Sequence, residues 1–140
     1  MDSVIIAKFG GSTIGIDGIS IPIIIQRINS ISKNAKVVAV FSAPLTIVEG
    51  KTTSLTDVAI ELGNRAKEGK IFDLIILRKT YEKILELVSS EFQDECKKII
   101  DDCLDKVSIE LEKAMKKKEF SDEIRSKTLA YSGEILMSYI

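Results

Sequence analysis

Lys8, Gly10, Gly11, Ser12 and Thr13 stand together in the segment KFGGST, directly after the β-branched run Val4, Ile5 and Ile6. Paired glycines let backbone N–H groups turn toward a ligand with no side chain in the way. Those N–H groups, a lysine point charge and two hydroxyls together suit an anion such as a phosphoryl group at the end of a strand. The competing reading is a solvated loop with a lysine on an edge strand, and a short glycine-rich segment alone does not choose between them. A second hydroxyl-rich stretch is GKTTSLTD, residues 50 to 57. A P-loop would need glycine where Leu45 stands, which argues against one. Ser54 and Asp57 have capping-box spacing, so Thr52 and Thr53 precede a helix N-terminus, where unsatisfied N–H groups suit an anion. A third feature is Gly133-Glu134, set inside the apolar pattern Leu129, Ala130, Ile135, Leu136 and Ile140. Glycine there costs about 1 kcal/mol relative to alanine, so it is kept for close approach of another element or a ligand. Glu134 is then either a surface acid, which the pattern alone favours, or the partner of an ammonium group.

The residues that are missing narrow the chemistry. The 140-residue chain contains no histidine, which excludes imidazole bases, His-based triads and His metal sites. Cys96 and Cys103 lie about two helical turns apart, too far for a bridge within one helix and without a zinc spacing. Both read as small core hydrophobes. A formal net charge of -1 argues against nucleic acid as the main partner. Residues 19 to 28 are the most apolar run, yet fall short of the roughly 20 residues that span a bilayer. No basic n-region with a following apolar region opens the chain, so the cytoplasm is the expected compartment.

These residues need elements to position them. Val4–Phe9 reads as a buried strand running into a tight loop. Ser20 precedes Ile21 and Pro22 as an N-cap before a helix of about three turns that ends near Lys33-Asn34. Its apolar face is Ile21, Ile24, Ile25, Ile28 and Ile31. Lys36–Ser42 is a second strand whose unalternating apolar run suggests cover on both faces, as in parallel sheets. Strand, helix and strand make a βαβ unit whose ligands bind at the edge where both strands end. The following stretch SAPLTIVEGKTTSLTD reads as a loop. Next come a helix from about Leu55 to Lys67 with Gly69 as its C-cap, and two regular helices across residues 71–118, divided near Ser89-Ser90. One carries Tyr81, Ile84, Leu85, Val88 and Phe92 on a face; the other carries Ile99, Ile100, Cys103, Val107, Leu111 and Met115. Lys116-Lys117-Lys118 reads as a solvated helix end. The last helix starts from Ser121.

Three segments, in order and spread over the whole chain, resemble one family. KFGGST is similar to the KFGGTS opening of aspartate kinases, in the amino-acid kinase superfamily. VVAVFSAP followed by GKTTSLTD resembles the family's second segment, and LAYSGEILMS resembles L-S-F-G-E-R-L-S. Departures exist: Ser12-Thr13 reverses the usual order, Leu45–Glu49 is inserted, Tyr131-Ser132 replaces Ser-Phe, Ile135 stands for arginine, and Lys127 for an acid. The resemblance implies an α/β protein with a three-layer αβα, mainly parallel sheet of the amino-acid kinase (carbamate kinase-like) fold, of which residues 1–140 would be the N-terminal, substrate-side part. The nucleotide-side half and the regulatory ACT domains would be absent, and the chain alone inactive. The implied reaction is transfer of the ATP γ-phosphoryl group to the side-chain carboxylate of L-aspartate, the first step toward lysine, threonine and methionine. By resemblance, Lys8 would neutralise the transferred group. Phe9, Gly10, Gly11 and Ser12 would form the phosphate and ATP site. Ser42, Thr52, Thr53 and Glu134 would bind aspartate, Glu134 through its α-ammonium. Magnesium would arrive on ATP, without dedicated protein ligands. A homodimer through the helical segments is the one macromolecular partnership expected, with no nucleic acid and no membrane. Rival readings are another superfamily kinase acting on acetylglutamate or glutamate, and a non-catalytic binding or dimerisation module.

Overall fold

Strands β1 (Val4–Phe9) and β2 (Lys36–Phe41) pair in parallel, from Val4 opposite Lys36 to Phe9 opposite Phe41. A computed structural model describes residues 3–140. Between the two strands come a single helical turn α1 (Gly11–Ile14) and helix α2 (Ile21–Ser32), which packs against β2. Parallel strands need such a crossover, because a tight turn can only join antiparallel neighbours. Ser20 does not cap α2 with its side chain. Its backbone is already in the right-handed helical region (φ -89°, ψ -2°), whereas a capping serine needs extended geometry to reach the first-turn N–H groups.

Only one face of the β1–β2 sheet is covered. Phe9 and Phe41 stack with ring centroids 5.2 Å apart, and Ala7 and Ala39 pack with them against the core. On the other face Val4, Ile6, Val38 and Val40 are 60%, 73%, 50% and 44% exposed. The expectation of cover on both faces is therefore corrected. The apolar run is real, but within the described residues no layer packs on its even-numbered face.

The stretch expected as a loop is a hairpin. β3 (Leu45–Val48) and β4 (Lys51–Ser54) pair antiparallel, with Leu45 opposite Ser54 and Val48 opposite Lys51. Glu49 and Gly50 make the two-residue turn, both at positive φ (50° and 77°), the geometry that matches strand twist. Proline at 44 and hydroxyls across β4 hid the pairing in the sequence, since the apolar alternation is carried by one strand only. Ser54 then caps α3 (Leu55–Lys67): its Oγ accepts from the Asp57 N–H at 3.1 Å. Gly69, at φ 73°, closes that helix by donating its N–H to the Ala66 carbonyl.

Four further helices pack with α3 around the core. α4 (Ile75–Glu86) and α5 (Gln93–Lys117) are joined through a short 3-10 turn, Ser90–Phe92, where the division was expected. α5 ends in the lysine run, with Lys118 in the left-handed region. α6 (Asp122–Leu129) is capped by Ser121, whose Oγ accepts from the Ile124 N–H. A π turn (Ala130–Glu134) then leads into α7 (Ile135–Tyr139). Tyr81, Ile84, Leu104, Val107, Leu111 and Leu136 are fully buried between these helices. Ile25 and Phe92, expected on buried faces, stand 48% and 51% exposed, each at the margin of its apolar stripe.

Candidate functional site

Lys8 is the last even-numbered residue of β1, so its exposed side chain rises from the uncovered face, opposite Val40. Phe9, one residue on, points the other way into the core. Its ring is committed to packing, worth about 0.5–1.5 kcal/mol beyond burial for an aromatic pair. Gly10 then caps α1, and its carbonyl accepts from the N–H groups of Thr13 and Ile14. The first-turn N–H groups of Gly11 and Ser12 have no partner within the helix, by the geometry of any helix start. Ser12 and Thr13 are both exposed on that turn.

The two glycines serve different ends. A Cβ at Gly11 would lie 2.8 Å from the Ala43 carbonyl oxygen, a backbone atom that cannot swing aside. Gly11 is therefore demanded by packing. A Cβ at Gly10 would meet nothing within 4 Å, and its backbone (φ -74°, ψ 168°) suits any residue. Nothing in the fold requires glycine at position 10.

Ala43 is the point where the three separated segments meet. The Ser42 N–H donates to the Phe9 carbonyl at 3.0 Å, extending the parallel ladder past both strands. Ala43 then packs against Gly11 on one side and Gly133 on another, where an added Cβ would lie 2.6 Å from the Ala43 Cβ. Ser42 is half-buried beside this junction, and Glu134, which follows Gly133, is exposed. The glycine at 133 is thus explained by close approach of a neighbouring element.

Thr52 and Thr53 are placed on the hairpin, one rung beyond the junction. Ser54 opposes Leu45, whose side chain touches the Gly11 position, while Thr53 opposes Thr46 and Thr52 opposes Ile47. Thr52 is exposed. Thr53 donates its hydroxyl to the Lys51 carbonyl at 3.3 Å and lines a groove of about 580 Å³ with Val48, Asp57, Glu61 and Phe72. The structure therefore brings Lys8, Gly10, Gly11, Ser12 and Ser42 to one end of the sheet, seats Gly133 against that end with the exposed Glu134 as the next residue, and sets Thr53 toward a separate groove.

Two supporting groups escaped the sequence. Asp17 sits at φ 52° between Gly15 and Gly18, accepting from Lys83 Nζ at 2.6 Å and Thr46 Oγ1 at 3.2 Å. Thr80 Oγ1 donates to Thr46 Oγ1 at 2.9 Å, so the glycine-rich loop, the hairpin and α4 are tied through one polar cluster. An aspartate between glycines tolerates left-handed backbone, the one signal that could have marked it. Tyr81 is the other. Its hydroxyl is buried and donates to the Ser132 carbonyl at 2.7 Å. Burial, with Cys103 adding to it, pushes the phenol far above its ordinary range. Burial also raises the Cys96 and Cys103 thiols, so neither is set up as a thiolate nucleophile.

Among the described residues no cluster of three or more acidic, cysteine or histidine side chains is arranged to hold a metal ion. No helix among them is long and apolar enough to cross a membrane. No protein-family model matches the chain, and no curated protein matches it at a significant level.

Proposed function

We propose that this chain is the aspartate-binding side of an aspartate kinase, within a three-layer αβα domain of the amino-acid kinase type. The reaction moves the γ-phosphoryl group of ATP onto the side-chain carboxylate of L-aspartate, giving 4-phospho-L-aspartate and ADP. One observation carries the reading: segments 8–13, 42–43 and 133–134, distant in sequence, meet at Ala43. They belong to the stretches on which the resemblance rests; GKTTSLTD, also part of it, lies instead on the hairpin and the start of α3.

The chemistry fits a chain without histidine. A substrate carboxylate is already ionised at neutral pH and needs no general base. Phosphoryl transfer then depends on positioning and on stabilising charge. In this reading Lys8 faces the transferred group, and the N–H groups of Gly11 and Ser12 donate to its oxygens. Gly10, which no packing or backbone constraint demands, leaves the approach clear. Ser42 and Glu134 hold aspartate, Glu134 through a charge-assisted bond to the α-ammonium. Thr53 faces the separate groove, and Thr52 stands exposed beside it. Magnesium carried by ATP supplies further charge neutralisation.

The uncovered face of the β1–β2 sheet supports the same reading. Parallel sheets are ordinarily covered on both sides. A nucleotide-side half of the domain packed on Val4, Ile6, Val38 and Val40 would bring ATP to the face from which Lys8 rises.

Calorimetry on this chain tests the assignment. L-Aspartate should bind weakly, Glu134→Gln should weaken it about tenfold, the equivalent of about 1.4 kcal/mol, and Lys8→Ala should change it less than twofold. In a kinase domain containing this chain, Lys8→Ala should lower kcat by about 10²–10³, the loss typical of one oxyanion-stabilising donor. Aspartate binding indifferent to Glu134→Gln, or turnover surviving Lys8→Ala within a few-fold, overturns the assignment.

A further inference from the structure

We infer that Tyr81 is a positioning residue for Glu134, acting through the π turn that carries it; this rests on the reading that Glu134 binds the substrate ammonium.

The last helix does not wind uniformly. At the π turn the Ile135 N–H donates to the Ala130 carbonyl, five residues back instead of four. Such single turns inside α-helices recur at functional sites. The wide turn spaces its residues at less than the roughly 100° per residue of α-helix, so Glu134, its last residue, is set round from where uninterrupted α-helix would place it. The direction in which Glu134 leaves the helix therefore depends on whether the wide turn is kept.

Besides Lys106 Nζ, 4.8 Å from the Tyr131 ring centroid, two contacts bear on the turn's buried residues in succession. The Tyr81 hydroxyl donates to the Ser132 carbonyl at 2.7 Å, and Gly133 lies flush against Ala43. Tyr81 and Ser132 are both fully buried, so water does not compete for that bond. Tyr81 comes from α4, 51 residues before Ser132 in the sequence, and its side chain reaches the turn from inside the core. The next residue is Glu134, the first of the turn to be exposed. Tyr81 thus fixes the turn from the core side, Ala43 fixes it from the sheet side, and Glu134 follows the residue seated at the junction where Ser42 and Gly11 also meet.

The test uses this chain and three substitutions. Tyr81→Phe keeps the ring and removes the donor. Ile100→Val, a buried core position on α5 that makes no hydrogen bond to the turn, serves as a control for general packing loss. L-Aspartate binding is read by calorimetry, and amide hydrogen exchange is read across residues 131–136. The expected result is aspartate binding three- to tenfold weaker in Tyr81→Phe, with exchange at 131–136 at least tenfold faster than the change elsewhere. Ile100→Val should move binding less than twofold. If Glu134→Gln weakens binding tenfold while Tyr81→Phe stays within twofold, the positioning role is wrong and the aspartate reading stands. Unchanged exchange at 131–136 in Tyr81→Phe also overturns the role. Should Ile100→Val weaken binding as much as Tyr81→Phe, the effect is general loss of packing and the inference fails. If the unsubstituted chain takes up no L-aspartate, the reading and the role of Tyr81 toward substrate fall together, the exchange data alone reporting whether the turn is held.

Discussion

Tyr81 couples the stability of this molecule to pH as well as to the geometry of one turn. Its phenol is buried, and burial raises its pKa above the unfolded value of 10.0. The folded state therefore favours the neutral form. That contribution is fully present below pH 10.0 and is lost as pH rises above it, with a slope of up to about 1.4 kcal/mol per pH unit. Urea unfolding across the alkaline range should show this loss, and Tyr81→Phe should flatten it. At neutral pH the same substitution strands the Ser132 carbonyl, so it should cost about 1–3 kcal/mol. Identical alkaline slopes in the two proteins would show that the phenol is accessible in the folded state. Gly133 makes a second residue-scale case. Gly133→Ala puts a methyl group 2.6 Å from the Ala43 Cβ. The backbone must give way, and overpacking of this kind costs about 1–3 kcal/mol despite the better helix propensity of alanine. A thermal scan in which Gly133→Ala melts at or above the parent temperature would contradict the close contact. Gly133 was legible as an anomaly because glycine inside an apolar helical pattern has no local reason. Its partner Ala43 was not, since alanine carries no signal of its own.

Helix ends were the most readable elements. Ser54 with Asp57, Gly69 after Lys67 and Ser121 before Asp122 all act as local chemistry requires, because a cap depends on three or four adjacent residues. Ser54→Ala should lower stability by about 1 kcal/mol in urea unfolding. A change below a few tenths would mean that the Oγ bond to the Asp57 N–H contributes nothing net. Ser20 looked equally good in sequence and does not cap, because the preceding turn had already set its backbone helical. The hairpin 45–54 was unreadable for a related reason. Its apolar residues lie on β3, its hydroxyls on β4, and pairing between the two is a tertiary fact.

The uncovered sheet face is a property of the whole molecule. Val4, Ile6, Val38 and Val40 form an apolar patch on a two-stranded sheet, a combination that favours sticking to other chains. Replacing Val38 by lysine, opposite Ile6 in the register, should reduce self-association measured by light scattering and leave the melting temperature nearly unchanged. A large drop in melting temperature would show that the face is packed in the isolated chain. The strands' type and parallel pairing followed from β-branched runs around a crossover helix, but their burial did not. An unalternating apolar strand records the surroundings it is suited to, whether or not those surroundings are present.

By itself the sequence determined the local things: two β-branched strands, the helices and most of their caps, the absence of imidazole chemistry, and a lysine–glycine segment at the end of the first strand. Each rests on residues within a few positions of one another, where propensity and hydrogen-bond geometry act directly. Tertiary structure alone decided that Gly11 is fixed by packing while Gly10 is free of it, that Tyr81 reaches the π turn from α4, and that three distant segments close on Ala43. Those are contacts between backbones and buried groups far apart in the chain, and no local pattern encodes which carbonyl or methyl group will stand opposite.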